Sequence, residues 1–170
     1  AFFTGDTDAV TGKMLFTAEV RPLFGSWLDF SITRNDVITV RIDRRRKYPV
    51  TTLLRAIGIE KDEEILSLFG HSGEHNYIAS TIEKDPTKTT EEAVIEIYRK
   101  MRPGEPTVLE NAEELLKNLF FNPRRYSLGA VGRYKMNKKL GVTIPNEKGN
   151  WILTPTDIIG IVTYLINLTK

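Results

Sequence analysis

Alternating apolar and polar positions mark the first third of the chain as β-structure. The runs Met14–Val20, Trp27–Thr33 and Val37–Ile42 are rich in β-branched and aromatic residues. Turn-forming residues separate these runs at Arg21-Pro22 and at Arg34-Asn35-Asp36. Short connections between successive strands favour antiparallel pairing. The sequence therefore predicts a small antiparallel meander in the N-terminal third.

The hydrophobic period changes to that of a helix after Pro49. Two short apolar stripes follow, the first ending at Gly58 and the second at Gly70. Three later helices are predicted from capping boxes, in which a threonine is followed three residues later by an acid. These pairs are Thr89 with Glu92, Thr107 with Glu110, and Thr154 with Asp157. We therefore predict an α+β fold, a single domain over residues 1–170, in which a layer of about five to six helices follows the meander.

The last predicted helix is apolar on nearly all sides. It begins after Thr154 and carries isoleucine, leucine or valine at most positions up to Ile166. Such a helix is either buried in the core of its own domain or docked on a neighbour. The sequence leaves both alternatives open.

Composition limits the class of protein. With 170 residues, of which 41% are hydrophobic, the chain is long enough to form one domain with a core. The absence of cysteine excludes disulfides and thiolate metal sites. The N-terminus lacks the pattern of a signal peptide and no apolar run is long enough to span a bilayer, so we expect a soluble, cytoplasmic protein with no membrane partner. Because Ala1 stands where an initiator Met is usual, we also expect the chain to be excised from a much longer one.

Positive charge is concentrated in one short run. Residues 41–47 carry five cations in seven positions, although the net charge of the whole chain is only +2. Residues 60–117 hold fourteen acids against seven bases, and residues 121–141 are again basic, with no acid. The run is either a solvated strand end or a contact for a polyanion such as nucleic-acid phosphate. Trp27 lies just upstream, and basic residues beside an aromatic ring favour single-stranded nucleic acid.

No reaction is indicated by the remaining polar residues. His71 and His75 have a spacing that a metal could use on a helix, but they flank Ser72-Gly73, which favours a loop, and no third ligand is indicated. The glycines between Leu128 and Gly132 follow no predicted strand and so form no dinucleotide fingerprint. We therefore expect no catalytic residue, no metal and no cofactor in this chain.

Several long motifs occur together and in a fixed order. They are Gly25 to Phe30, Val40 to Lys47, Tyr98 to Pro106, Asn118 to Phe121, and Arg125 to Arg133. Together they closely resemble the β subunit of bacterial DNA-directed RNA polymerase, and in particular its lobe domain. The resemblance implies a non-catalytic wall of the DNA channel, which contacts non-template and downstream DNA during transcription. The metal-binding aspartates of that nucleotidyltransferase lie on another subunit, so the fragment alone is expected to be inactive.

The resemblance also implies roles for individual residues and partners. The tryptophan of the family's Gly-Ser-Trp-Leu-Asp motif, here Trp27, contacts an unpaired non-template base, although an alternating strand also allows a core tryptophan. The implied phosphate-facing or channel-facing residues are Arg44, Arg45, Arg46, Lys47, Arg125, Arg133 and Lys135, with a structural salt bridge as the alternative for Arg133. Implied partners are DNA, the rest of the β subunit, the other polymerase subunits, and sigma or elongation factors, in a nucleoid-associated complex. The rival function is a docking module for protein transcription factors with little direct DNA contact.

Overall fold

A computed structural model of the chain describes residues 2–7, 12, 14–69 and 76–169. In these residues, five strands form one sheet whose spatial order is the chain order, and every neighbouring pair is antiparallel. The strands are β1 (Phe2–Thr7), β2 (Met14–Val20), β3 (Leu28–Ile32), β4 (Ile38–Ile42) and β5 (Tyr48–Pro49). The predicted meander is confirmed, and the structure adds a strand at each edge.

Helices account for most of the chain after Pro49. They are α1 (Val50–Ala56), α2 (Asp62–Phe69), α3 (Tyr77–Lys84), α4 (Thr90–Met101), α5 (Leu109–Phe120), α6 (Gly129–Leu140) and α7 (Pro155–Leu168), with a short 3₁₀ helix at Lys148–Asn150. The predicted α+β class is therefore confirmed, with seven α-helices in the described residues. The metal alternative weighed for His71 and His75 falls on residues outside those described.

One face of the sheet is apolar because its side chains alternate. In β3, Leu28, Phe30 and Ile32 are buried, and in β4 the same holds for Ile38 and Ile42. Helices α1 and α3 pack on β4, and α7 packs on β2. Helix α4 then packs on α1, and α5 on α4. The opposite face of β3 and β4 carries polar residues, which are half-buried.

Of the three predicted capping boxes, one is complete and a second has only the bond made by its threonine. The Thr154 side chain accepts from the Asp157 N–H, and the Asp157 carboxylate accepts from the Thr154 N–H, which completes the box of α7. At α4, Thr89 caps the Glu92 N–H, while the Glu92 carboxylate reaches the N–H of Lys88. The box predicted at Thr107 is wrong, because α5 begins after Val108, which makes no side-chain cap.

The last helix is part of the core. Ile158, Ile161, Val162 and Leu165 are fully buried, and all belong to the same cluster of apolar side chains as the sheet residues. Of the two alternatives left open by the sequence, burial within this chain is the one observed.

Candidate nucleic-acid interface

The basic run forms a tight turn at the end of β4. The Arg45 N–H donates to the Ile42 carbonyl oxygen at 2.9 Å, and the two residues between them, Asp43 and Arg44, have φ values of 50° and 60°. Left-handed backbone at two successive non-glycine residues is strained, at about 1–3 kcal/mol each. The surrounding contacts must therefore hold this turn in place.

Arg41 supplies one of those contacts. Its guanidinium donates to the carbonyl oxygens of Arg44 and Arg45, at 2.9 and 3.2 Å. This cation therefore stabilises the turn from inside. The next four cations, Arg44, Arg45, Arg46 and Lys47, are all exposed to solvent. The turn thus presents four of the five cations of the run on its outside.

Trp27 is hydrogen-bonded to the same turn. Its N–H donates to the Asp43 carboxylate at 2.8 Å, and the Asp43 N–H donates back to the Trp27 carbonyl oxygen at 3.0 Å. The Trp27 residue is 37% exposed, whereas the next residue, Leu28, is fully buried. The alternative of a core tryptophan is therefore wrong. The structure brings Trp27 and the basic turn together through Asp43, a contact that the sequence did not reveal.

A row of charged side chains crosses the outer face of the sheet beneath the turn. Glu19 of β2 pairs with Asp29 of β3, and Asp29 pairs with Arg41 of β4. Burial raises the pKa of Asp29, and the neighbouring Glu19 carboxylate raises it further. The positive charges of Arg41, Arg44 and Arg21 act in the opposite direction. Among the four exposed cations of the turn, Arg44 is thus the one whose charge acts on Asp29.

The second basic segment reaches the same surface through the chain before Trp27. Phe24 and Ser127 form an isolated antiparallel bridge, in which the Ser127 N–H donates to the Phe24 carbonyl oxygen at 2.9 Å. Gly25 has a φ of 117°, and a Cβ there would lie 3.0 Å from the carbonyl oxygen of Arg125. Only glycine permits this approach. The backbone of the exposed Arg125 therefore lies directly beside the segment that leads into Trp27.

Arg133 does not belong to this surface. It is fully buried, and all five of its N–H groups are used. They donate to both oxygens of Asp157, at 2.7 and 2.9 Å, to the carbonyl oxygens of Asn150 and Ile152, and to the side chain of Asn137. The interpretation of Arg133 as a channel-facing residue is therefore corrected. The salt bridge considered as its alternative is the one that forms.

Lys135 lies on the outside of α6. A residue two positions from Arg133 is rotated by about 200° around a helix, and Lys135 is exposed accordingly. It remains available to a partner, but no contact links it to the basic turn in the part of the chain described.

Other kinds of site find little support in the described residues. Across residues 2–7, 12, 14–69 and 76–169, no group of three or more His, Cys, Asp or Glu side chains could hold a metal ion. A search of the same residues for a helix with the length and apolarity needed to cross a membrane finds none.

Sequence reasoning missed three residues of this surface. The side chains of Arg41 and Asp43 bond main-chain groups, and Gly25 permits a close backbone approach, contacts that no local pattern in the sequence reveals. A usable signal was present at Asp43, since aspartate is one of the few residues that tolerates left-handed backbone in a turn.

Comparison with known proteins places this arrangement in a family. A family model described as RNA polymerase Rpb2, domain 2, matches residues 15–170. The chain therefore belongs to that family, and the resemblance to the bacterial β subunit is confirmed.

Curated relatives are similar over most of the chain. The DNA-directed RNA polymerase subunit beta of Alkaliphilus oremlandii (strain OhILAs) is 55% identical over 132 residues, which cover 78% of this chain and 10% of the relative. That of Clostridioides difficile (strain 630) is 54% identical over 132 residues, with the same coverage. The subunit of Streptomyces avermitilis is 47% identical over 167 residues, or 98% of this chain and 14% of the relative. The chain thus spans only 10–14% of the length of these relatives.

Proposed function

We propose that this chain is the lobe of an RNA polymerase β subunit and forms a wall of the DNA channel during DNA-templated transcription. Its role is to contact the non-template strand and the downstream duplex, without catalysing a reaction itself. The observation that carries this proposal is the joining of an exposed tryptophan to a turn that presents four cations. Aromatic rings that stack on bases beside cations that hold phosphates are typical of single-strand binding.

The residues divide into two roles. Trp27 offers its ring to an unpaired base. Arg44, Arg45, Arg46 and Lys47 lie beside it and are placed to neutralise phosphates, and Arg125 extends the positive surface across the Gly25 contact. Lys135 is assigned to a more distant phosphate on the outer side of α6.

The test is the salt dependence of DNA binding. The chain should bind a single-stranded oligonucleotide weakly, with a Kd of about 10⁻⁴ M, because few phosphates are contacted. If Arg44, Arg45 and Arg46 each neutralise one phosphate, their replacement by alanine should lower the slope of log K against log salt by about two.

A matched control has the same change in charge at another place. Lys61, Lys88 and Lys117 are exposed and lie outside the basic turn, so their replacement by alanine should leave the slope unchanged. Equal slopes for the two triple variants would show that the turn is not the DNA-facing surface.

The partners and activity of the whole enzyme extend this proposal. The lobe would be continuous with the rest of the β subunit and would assemble with the other polymerase subunits, sigma factors and elongation factors. The nucleotidyltransferase activity would belong to that assembly. The relatives, all DNA-directed RNA polymerase β subunits, support this assignment.

A second candidate function is docking of protein transcription factors. It is favoured by the outer face of α6, where Val131 is 66% and Tyr134 is 60% exposed, beside the cations Lys135 and Lys138. Val131 and Tyr134 are three residues apart and so adjoin on one face of the helix, and contiguous exposed apolar surface rimmed by polar residues marks protein contacts. Binding of a purified elongation factor that is lost on Val131→Ser and Tyr134→Ser, but survives the arginine changes, would support docking over DNA contact.

A further inference from the structure

The ion pair between Glu19 and Arg21 packs on the ring of Trp27. Glu19 lies in β2 and Arg21 follows that strand, two residues on, so the two side chains are on the same side of the chain. The Arg21 guanidinium donates from Nε and Nη2 to the two carboxylate oxygens of Glu19, at 2.9 and 3.1 Å. Its Cζ atom lies over the Trp27 ring, 4.8 Å from the ring centroid. This is within the distance of a cation–π contact.

The geometry of this pair differs from that of a phosphate ligand. A bidentate carboxylate fixes the plane of the guanidinium and neutralises its charge. The nearby carboxylate is also the largest cause of the raised pKa of Arg21. A side chain held in this way is suited to pack on a ring rather than to reach for a moving strand of DNA.

Trp27 is therefore constrained at two places. Asp43 fixes its main chain by two hydrogen bonds, and Arg21 covers one face of its indole ring. Trp27 nevertheless remains 37% exposed, so part of this residue stays accessible to a ligand.

We infer that the Glu19–Arg21 pair positions the Trp27 ring so that it accepts a single unpaired base on its remaining face. This inference rests on the proposed function and adds to it the two residues that hold the ring in place. The ligand is one base stacked on the open side of the ring, and insertion of the ring between two successive bases is blocked. Glu19 and Arg21 act as positioning residues, because neither needs to contact the DNA.

The Glu19→Gln substitution gives the sharpest test. It makes the surface more positive by one charge, so attraction of DNA by charge alone would tighten binding. If the pair positions the ring, DNA binding should weaken instead, because Arg21 loses its bidentate partner and the Trp27 ring loses its fixed neighbour. We expect binding to weaken by about two- to tenfold, the cost of ordering one side chain on binding.

Arg21→Lys provides a second variant with no change in net charge. Lysine keeps the positive charge but lacks the planar fork that both pairs with the carboxylate and stacks on the ring. We expect this variant to weaken binding as Glu19→Gln does. The slope of log K against log salt should remain that of the parent for both variants.

The experiment uses the 170-residue chain carrying Trp151→Phe, so that Trp27 is the sole tryptophan. A thymidine dodecamer is titrated at several salt concentrations, and quenching of Trp27 fluorescence reports stacking. In the free chain, quenching by acrylamide reports how accessible the ring is, and it should increase in both variants. Far-UV circular dichroism and urea midpoints that match the parent's would show that the fold is retained.

The possible results separate this inference from the proposed function. If the parent shows no quenching by DNA, stacking on Trp27 is refuted. If the parent is quenched but Glu19→Gln binds as tightly or more tightly, positioning by the pair is overturned and DNA stacking stands. Unchanged acrylamide quenching in both variants would also overturn positioning, whatever the DNA titration gives.

Discussion

We predict that loss of the buried Arg133–Asp157 ion pair strongly destabilises the chain. Replacing Arg133 by methionine keeps an apolar stem of similar length but removes five hydrogen bonds. It leaves the Asp157 carboxylate buried without its cation, and deprives the carbonyl oxygens of Asn150 and Ile152 of a donor. Both ionic partners are fully buried in the parent.

The size of the stability loss depends on the hydrogen bonds that Asp157 keeps after Arg133 is replaced. Breaking a buried ion pair by removing one partner typically costs about 3–5 kcal/mol. Asp157 keeps two hydrogen bonds to its second oxygen, from the N–H and hydroxyl of Thr154, each 2.9 Å long. These bonds limit the penalty, so we expect the lower end of the range, about 3 kcal/mol. That is a large share of the roughly 5–15 kcal/mol that stabilises a typical domain.

Urea denaturation followed by circular dichroism measures this effect. With an m-value of about 2 kcal/mol per molar urea, the midpoint should fall by about 1.5 M. Lys135→Met is the matched control, since it makes the same change on the exposed side of the same helix and should shift stability by less than about 0.5 kcal/mol. If the urea midpoint of Arg133→Met falls no further than that of the control, the interpretation that this ion pair stabilises the packing of α6 on α7 is refuted.

Two further predictions concern another buried carboxylate and a close backbone contact. Burial raises the pKa of Asp85, but hydrogen bonds from neighbouring threonines outweigh it and leave the pKa below its ordinary value. Its contribution to stability is therefore present above the unfolded-state pKa and is lost as pH falls through the folded-state pKa, and Asp85→Asn should flatten this decline in urea midpoints measured from pH 7 to pH 3. Gly25→Ala should destabilise the chain by about 2 kcal/mol or more, because its Cβ would lie 2.8 Å from the Tyr126 ring. Gly58→Ala has a similar φ of 112° with open space around it, so a thermal or urea midpoint as low as that of Gly25→Ala would contradict the steric explanation.

The sequence predicted those strands and helices that depend on interactions between residues close together in the chain. The strands β2 to β4 follow from alternation, and α4 and α7 follow from their threonine caps. The edge strand β1 was not predicted, since its support is distant: Phe3 packs on Tyr164 of α7, with ring centroids 4.2 Å apart. Helix α3 was missed as well. The Ile38 N–H of β4 donates to its Thr81 hydroxyl, which is a tertiary contact.

In the candidate site too, local patterns were visible in the sequence, whereas contacts across the fold were not. Charge density and an adjacent aromatic residue in the sequence indicated the basic turn and Trp27. Their union depends on Asp43, which lies sixteen residues from Trp27 in the chain. The burial of Arg133 depends on a carboxylate twenty-four residues away. Sequence alone could list the cations, but pairing across the fold decides which of them face outward.

The inward-facing guanidinium of Arg41 limits how strongly the turn can respond to salt. A count of residues 41–47 suggests five phosphate contacts, but Arg41 is occupied by carbonyl oxygens of its own chain. Four cations remain for phosphates. At about 0.7 released ions per contact on a single strand, the turn can contribute a slope of about three at most. A steeper dependence in the isolated chain would have to come from other parts of its surface, such as the region around Arg125.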